Sequence, residues 1–416
     1  MSSPIVLVVE QHAEDAVALF NARSALIQAP HVKLHHLARL DERLAAHLDG
    51  LKVAGDLGSR LALRALERPG SGEMFVATAT ALTEQHHGAL QKLLAVVETE
   101  AAARAGLAGA FGWVSAFQLR DIAASLLASS HPFQRHLGLV ACALHRVDPG
   151  APMEAALTDP NASLRAQALR IAGELGRVDL RERCLLALAD PHDGCRFQAA
   201  RSALLLGDRR AAVTALEGSA LSPGPRQRPA LRVLLKAVAP DHARALLTRL
   251  TESGAHPRVL VDAIATSGDV HYAPWLLEQM QDPRLARLCG EAFCTLTGLD
   301  LAALDFDTPP PENLATGPND EPDDTDVALD EDDGLAWPDA DKLNAWWQTK
   351  GQQTLCNAPT FIGKPPTSSH CLDVLKTGFQ RQRIAAAQHR CLIEPGTALF
   401  NTSAPARRQQ RLLAAL

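Results

Sequence analysis

Aromatic side chains are scarce in this sequence, and their scarcity limits the choice of fold. The chain of 416 residues has 11 Phe, 5 Trp and 1 Tyr, so 4% of it is aromatic while 47% is hydrophobic. Ala and Leu dominate that hydrophobic fraction. Strands favour β-branched and aromatic side chains, whereas Ala and Leu are the strongest helix formers. The composition therefore predicts an all-α protein and argues against an all-β one.

Long apolar runs are missing too, since none approaches the roughly 20 residues that span a bilayer. The apolar stretch at 5–9 has no basic residue before it and is followed by Glu10, so it lacks the parts of a signal peptide. The 8 cysteines are scattered, with no Cys-x-x-Cys spacing, and are expected to be buried thiols. These absences predict a soluble, cytoplasmic protein that contacts no membrane.

Motifs of familiar enzyme chemistry are also lacking. There is no Gly-x-Ser-x-Gly elbow and no dinucleotide fingerprint, and Gly363-Lys364 is followed by Pro365, which rules out a phosphate loop there. His31 and His35 have the spacing of two metal ligands on a helix, but Pro30 precedes them and no His-Glu-x-x-His string is present. We expect surface histidines, no catalytic residue, no metal and no cofactor.

Charge is distributed unevenly along the chain. The net charge is −6, yet residues 301–341 hold 14 acidic side chains and no Lys or Arg, and the remainder carries +8. This acidic, proline-containing composition is typical of a linker without a packed core. The segment is expected either to be merely solubilising or to lie over the basic remainder and compete with a partner. Deleting residues 307–335 is accordingly expected to leave the fold intact.

An arginine recurs through the middle of the sequence with successive spacings of 31, 30, 31, 32, 30 and 29 residues. Small or apolar residues recur three and seven positions after each arginine. Positions four apart share one helix face, so each unit presents a packing stripe to its neighbour. A fixed period of this length predicts an array of paired helices. The register arginines are Arg104, Arg135, Arg165, Arg196, Arg228, Arg258 and Arg287.

Two units share a longer pattern. Asp159-Pro160 and Asp190-Pro191 each begin six residues before a register arginine. Asp can cap a helix and Pro is tolerated at the first helical position, so a helix is expected to begin at each dipeptide. Glycines eleven residues after an arginine are expected to end the helices, namely Gly176, Gly207 and Gly298.

This pattern resembles the HEAT-type α-solenoid, whose units carry an Asp-Pro turn and an arginine at this relative position. The resemblance implies a polar ladder of Asp and Arg between neighbouring repeats, carried over to Asp159, Arg165, Asp190 and Arg196. The other units keep the arginine without the full string, so the ladder is expected to be incomplete. The positions expected to hold the repeat register are Asp159, Arg165, Asp190, Arg196, Arg135, Arg258 and Arg287.

Four regions follow from these patterns. Residues 1–68 are expected to form an N-terminal helical hairpin that caps the array, and 69–304 the HEAT-like repeats. Residues 305–336 are expected to be the acidic linker, and 337–416 a helical C-terminal region. Phe379-Gln380-Arg381 echoes Phe133-Gln134-Arg135, which predicts a degenerate repeat in that last region.

Three tryptophans follow the acidic segment, at Trp337, Trp346 and Trp347. Tryptophan is enriched among interface anchors, so these residues are candidates for contacting a partner. Trp346 and Trp347 diverge by about 100° on a helix and cannot both face one partner. The alternative is that they pin the C-terminal region onto the end of the array.

The two ends of the chain carry a second resemblance. The strings at 10–16, 40–51 and 378–387, with Trp346-Trp347 and Leu399-Phe400-Asn401-Thr402, are similar to an uncharacterised family of bacterial HEAT-repeat proteins. Genes of that family often sit in type VI secretion effector clusters. The resemblance implies an accessory role in effector loading or delivery, with a secreted effector or spike component as the protein partner. Because an array of this kind offers a long grooved surface without chemistry of its own, we expect a non-catalytic adaptor or chaperone-like scaffold.

Nucleic-acid binding is the alternative function. HEAT-like arrays can cradle a duplex, and the register arginines could supply the basic stripe that phosphates require. Against this, arginines near helix starts in this fold usually serve stacking, and the aromatic side chains that grip an exposed base are scarce. A HEAT-like base-processing enzyme lacks any diagnostic string here. A protein partner is therefore favoured over nucleic acid.

Overall fold

The computed structural model describes residues 4–67, 69–311, 330–351 and 358–416. Within these ranges the protein is all-α, as the composition predicts, and its only strands are β1 (Asp307–Thr308) and β2 (Trp337–Pro338), which pair antiparallel. The α-helices are α1 (Val6–Leu26), α2 (Leu34–Val53), α3 (Asp56–Arg64), α4 (Ser71–Thr83), α5 (His87–Thr99), α6 (Arg104–Trp113), α7 (Ala116–Leu127), α8 (Pro132–His145), α9 (Ala151–Ala156), α10 (Ala162–Glu174), α11 (Arg181–Leu186), α12 (Asp193–Leu205), α13 (Ala211–Leu221), α14 (Gln227–Leu234), α15 (Pro240–Glu252), α16 (Pro257–Ser267), α17 (Ala273–Gln279), α18 (Pro283–Thr297), α19 (Ala340–Trp346), α20 (Ser368–Thr377), α21 (Gln380–Ile393) and α22 (Ala406–Ala414). No helix in the described ranges is long and apolar enough to cross a membrane.

The even-numbered helices from α4 to α18 form a continuous row, in which each packs against the next even-numbered one. The odd-numbered helices flank the row, as α7 does against α8 and α17 against α18. Every register arginine lies within the first five residues of an even-numbered helix from α6 to α18. The recurring arginine therefore marks one helix start after another along the row.

The helix starts in two units differ from expectation. Helix α10 begins after Asn161, whose side chain accepts the amides of Ser163 and Leu164, and α12 begins after His192. The Asp-Pro dipeptides thus lie before the cap instead of forming it. Asp159 and Asp190 instead accept the backbone amides two residues on, which shapes the turn and leaves a second carboxylate oxygen for a partner.

Three helices end just before the glycines that were expected to terminate them. Gly176, Gly207 and Gly298 have φ of 70°, 100° and 76°, in the region that residues with a side chain rarely adopt. A Cβ on Gly176 would lie 2.3 Å from the carbonyl oxygen of Gly396, so this position also requires glycine for a close approach by the C-terminal residues.

The N-terminal region contains α1 and α2 packed together as a hairpin, with α1 also against α4, the first helix of the row. Helix α1 begins earlier than the periodic pattern indicates, at Val6, and its first turn is exposed. Inside the hairpin, Arg23 donates to Asp41 at 2.6 Å, and both residues are buried.

The C-terminal residues return along the row instead of extending it. Their contacts follow the C-terminal ends of the even-numbered helices: the amide of Ile362 donates to the carbonyl oxygen of Thr295 at 2.7 Å, and that of Leu399 to Glu174 at 2.8 Å. The amide of Ala406 then donates to Asp41 in the N-terminal hairpin. The edge of the row formed by these helix ends is therefore covered by the chain itself, which the sequence did not reveal.

Candidate functional site

Two register arginines tie successive loops together. Arg165 donates to both carboxylate oxygens of Asp190, at 2.7 and 2.9 Å, and to the carbonyl oxygens of Asp159 and Pro160 before its own helix. Arg135 reaches Asp159 in the same way, at 2.8 Å. The hydrogen bonds from Arg165 lower the pKa of Asp190 to about 2. Each arginine thus links the loop before its own helix to the loop before the next even-numbered helix.

Arg196 does not continue this ladder. It donates to the carbonyl oxygens of Asp190 and Pro191 before its own helix, but its only carboxylate neighbour in the described residues is Asp193 on that same helix. Its side chain is 44% exposed. The ladder role expected for Arg196 is therefore corrected, because the following loop presents no carboxylate to it.

At the far end of the row, the acidic segment supplies the carboxylates. Arg258 donates to both carboxylate oxygens of Asp332, at 2.8 and 2.5 Å, and lies 3.2 Å from Glu331. Arg287 lies 2.7 Å from Asp330 and donates to the Asp332 carbonyl oxygen. Asp332 is 3% exposed. It therefore occupies the position at Arg258 that Asp190 occupies at Arg165.

Arg258 pairs with Asp332 and not with Asp282, the aspartate in the loop before α18. Asp282 accepts the amide of Arg284 as the cap of α18. The acidic run was expected to be dispensable for folding. That expectation is revised for the end of the run, at residues 330–335. Deleting residues 307–335 would remove Asp330 and Asp332 and leave the buried Arg287 and the half-buried Arg258 without these carboxylates, so we expect that deletion to destabilise the end of the row.

Beside these contacts lies a pocket of about 360 Å³ between α14, α16, α18 and α21. Its lining includes four carboxylates, Asp262, Glu291, Glu331 and Asp332. We call it the basic pocket, after its five cationic side chains, which are Arg228, Arg232, Lys236, Arg258 and Arg381.

Two of the pocket's carboxylates belong to the helices around it. Asp262 lies 3.2 Å from Arg228 and 3.5 Å from Arg232. Glu291 accepts from Arg381 at 2.7 Å, and burial raises the pKa of Glu291 above its usual value. Arg228 and Arg232 therefore share a single helix-borne carboxylate, which leaves them incompletely neutralised.

Lys236 has no carboxylate within 4.0 Å among the described residues; its ammonium donates to the carbonyl oxygen of Arg232. Burial and the charge of Arg232 lower the pKa of Lys236 to about 7. His389 on α21 faces it, and burial lowers the pKa of His389 to about 3, so that imidazole is neutral near pH 7. Lys236 is the lining cation that lacks a counter-charge.

His31 and His35 are exposed, and no cluster of three His, Cys, Asp or Glu in the described residues could hold a metal. Burial raises the pKa of Cys289 and Cys391 to about 12, so both thiols stay protonated near neutral pH. Cys356 lies outside the described residues.

The three tryptophans pack within the chain. Trp347 is buried, and the rings of Trp346 and Trp347 lie 6.1 and 6.0 Å from that of Phe293 in α18. Arg287 stacks over the half-buried Trp337 at 4.8 Å. This placement corresponds to the alternative in which they pin the C-terminal region to the row, and Trp347 is not accessible to a partner.

Comparison with protein-family models, with curated proteins and with solved structures found no significant match to this chain. Any assignment of function therefore depends on the residues described above.

Sequence reasoning missed the basic pocket. Arg232, Lys236 and Arg381 lie outside the arginine period, and Arg381 comes from the C-terminal region, far away in sequence. The sequence did indicate that the acidic segment would be attracted to the rest of the chain, because the two carry opposite net charge. Nothing in the spacing indicated which acidic residue would be buried.

Proposed function

We propose that this chain is a non-catalytic protein-binding scaffold, built as a HEAT-like α-solenoid. The observation that carries the proposal is the row of even-numbered helices with an arginine at each start, which is the arrangement that stacked helical repeats produce. Such arrays act by presenting an extended surface to another protein. The ladder from Arg135 to Asp159 and from Arg165 to Asp190 supports the same interpretation.

The covered edge of the row restricts where a partner can bind. Because residues 360–362 and 392–408 lie along the C-terminal ends of the even-numbered helices, we propose that a partner contacts the opposite edge, where these helices begin. That edge carries the register arginines, and the basic pocket extends from Arg228 and Arg258 on this edge to α21 on the covered side.

The partner that we propose is a secreted effector or spike component of a type VI secretion system. This part of the proposal depends on the resemblance in the terminal strings of the sequence. The test is to immobilise the full-length chain and apply each purified effector and spike component encoded beside it. Retention of one of them at micromolar concentration, resistant to a wash with unrelated protein, is the expected result. Retention of none would refute the adaptor role.

Nucleic-acid binding remains the alternative because the basic pocket is rich in arginine. The ladder argues against it, since Arg135, Arg165, Arg258 and Arg287 are already paired with carboxylates of the chain. Salt-dependent retention of a DNA duplex by the full-length chain would support this alternative. Failure to retain the duplex at low salt would remove it.

A further inference from the structure

We propose that the basic pocket binds an acidic peptide segment of a partner protein, and that Glu331 occupies part of that site as an internal competitor. The inference deepens the proposed function, because it names the chemistry of the partner segment that the scaffold recognises.

The site already holds carboxylates of this chain in two different ways. Asp332 is bound as a structural residue: its side chain is 5% exposed and accepts from two nitrogens of Arg258. Glu331 is held loosely by comparison, since its side chain is 66% exposed and lies 3.2 Å from Arg258 and 3.8 Å from Arg228. A competing carboxylate would therefore displace Glu331 and leave Asp332 in place.

Glu331 does not satisfy every hydrogen-bond donor of Arg258. The Nε–H of Arg258 is buried and has no hydrogen-bond partner among the described residues, although the Glu331 carboxylate is nearby. An unpaired buried donor is unfavourable, and a carboxylate of better geometry would satisfy it. Arg258 thus offers an incoming acidic side chain a hydrogen bond that the internal carboxylate does not make.

Charge in the pocket favours the same ligand. With Glu331 in place, four guanidinium groups and Lys236, whose pKa is about 7, face four carboxylates; once Glu331 is displaced, they face three. In the part of the chain that the structure describes, Lys236 has no carboxylate partner in either state, and Arg232 shares Asp262 with Arg228. These two side chains are placed to receive a second carboxylate of the same peptide, beside the one at Arg258.

The test measures binding of a fluorescent peptide of alternating glutamate and aspartate to the full-length protein by anisotropy. The control peptide replaces these residues by glutamine and asparagine. We expect the acidic peptide to bind and the amide peptide not to. Equal binding of both peptides, or binding of neither, would overturn the inference.

The decisive comparison uses two variants of the acidic segment that lose the same charge. Glu331→Gln removes the competitor and should tighten binding of the acidic peptide by about threefold to tenfold. Asp333→Asn lies two residues away, is exposed and does not line the pocket, so it should leave the affinity unchanged. Equal effects of the two variants would mean that the affinity depends only on the long-range electrostatic field of the acidic segment. That result would contradict the competitor role of Glu331.

The cationic side chains of the pocket are tested by Arg232→Ala and Lys236→Ala. Each variant is expected to weaken binding of the acidic peptide about tenfold. Arg284→Ala, whose side chain is 85% exposed and outside the pocket, is the matched control. An unchanged melting temperature confirms that each variant is folded. If single-stranded DNA of equal charge binds with the same dependence on Arg232 and Lys236, the site recognises phosphates and the peptide assignment is wrong.

The inference and the proposed function can fail separately. If an effector is retained equally by wild type and Arg232→Ala, the scaffold proposal stands and the pocket is not its docking site. If the acidic peptide binds as expected but no effector or spike component is retained, the pocket inference stands and the adaptor role fails.

Discussion

The Arg165–Asp190 pair should stabilise the row measurably, and Asp190→Asn is the sharpest perturbation of it. The variant keeps the size of the side chain and the oxygen that accepts the His192 amide, but it loses the charge that Arg165 binds through two nitrogens. The folded-state pKa of Asp190 is about 2, compared with about 3.9 in an unfolded chain. That difference corresponds to roughly 2 to 3 kcal/mol of unfolding free energy, which solvent screening reduces to about 1 to 2 kcal/mol.

The direction of the Asp190 pKa shift determines how the stability difference depends on pH. Because folding lowers the pKa of Asp190, its contribution is fully present above the unfolded value and is lost as the pH falls through the folded one. The stability difference between wild type and Asp190→Asn should therefore be constant from pH 7 down to about pH 5 and shrink between about pH 4 and 2. Urea unfolding curves at each pH, followed by circular dichroism, measure it.

Asp193→Asn is the matched control for Asp190→Asn. It lies three residues away, and its carboxylate is 64% exposed beside Arg196, so its removal should change the unfolding free energy by less than about 0.5 kcal/mol. Equal losses for the two variants at pH 7, or a difference that persists at pH 2, would refute the assignment of a ladder pair to Arg165 and Asp190.

Three further predictions concern the other contacts. Asp332→Asn should lower the unfolding free energy by about 1 to 3 kcal/mol, whereas Asp333→Asn should change it little; equal melting temperatures would remove the structural role of Asp332. Gly176→Ala should destabilise more than Gly254→Ala, since φ is near +70° at both but only Gly176 meets another carbonyl, that of Gly396; equal losses in urea unfolding would contradict the covered edge. Affinity for the acidic peptide should fall above about pH 7 as Lys236 loses its proton, and Lys236→Arg should abolish that fall; a pH dependence that survives this substitution must come from another group.

The helical class and the recurrence of helices along the chain could be predicted from the sequence, because both depend on local chemistry. Ala and Leu favour helix wherever they stand, and a side chain repeated near every helix start leaves a fixed spacing. A contact between Arg165 and Asp190 was expected from the resemblance to HEAT-type repeats, in which an Asp and an Arg of neighbouring units pair.

The site could not be predicted in the same way, because its parts are far apart in the chain. Arg258 pairs with a residue 74 positions away, and Arg381 reaches the pocket from the C-terminal region. Periodicity also misplaced Arg196, since a register position fixes where an arginine stands but not whether the next loop offers a carboxylate. Because the Arg196 side chain is 44% exposed, we expect Arg196→Ala to lower the unfolding free energy by about 0.5 kcal/mol or less.

In the proposed mode of binding, a partner protein contacts the basic pocket of this scaffold through acidic side chains. The most direct test holds a retained effector or spike component on the immobilised full-length chain and adds the acidic peptide. We predict that the acidic peptide releases the partner in a dose-dependent way while its amide counterpart does not. Continued retention of the partner at concentrations that saturate the pocket would contradict this mode of binding.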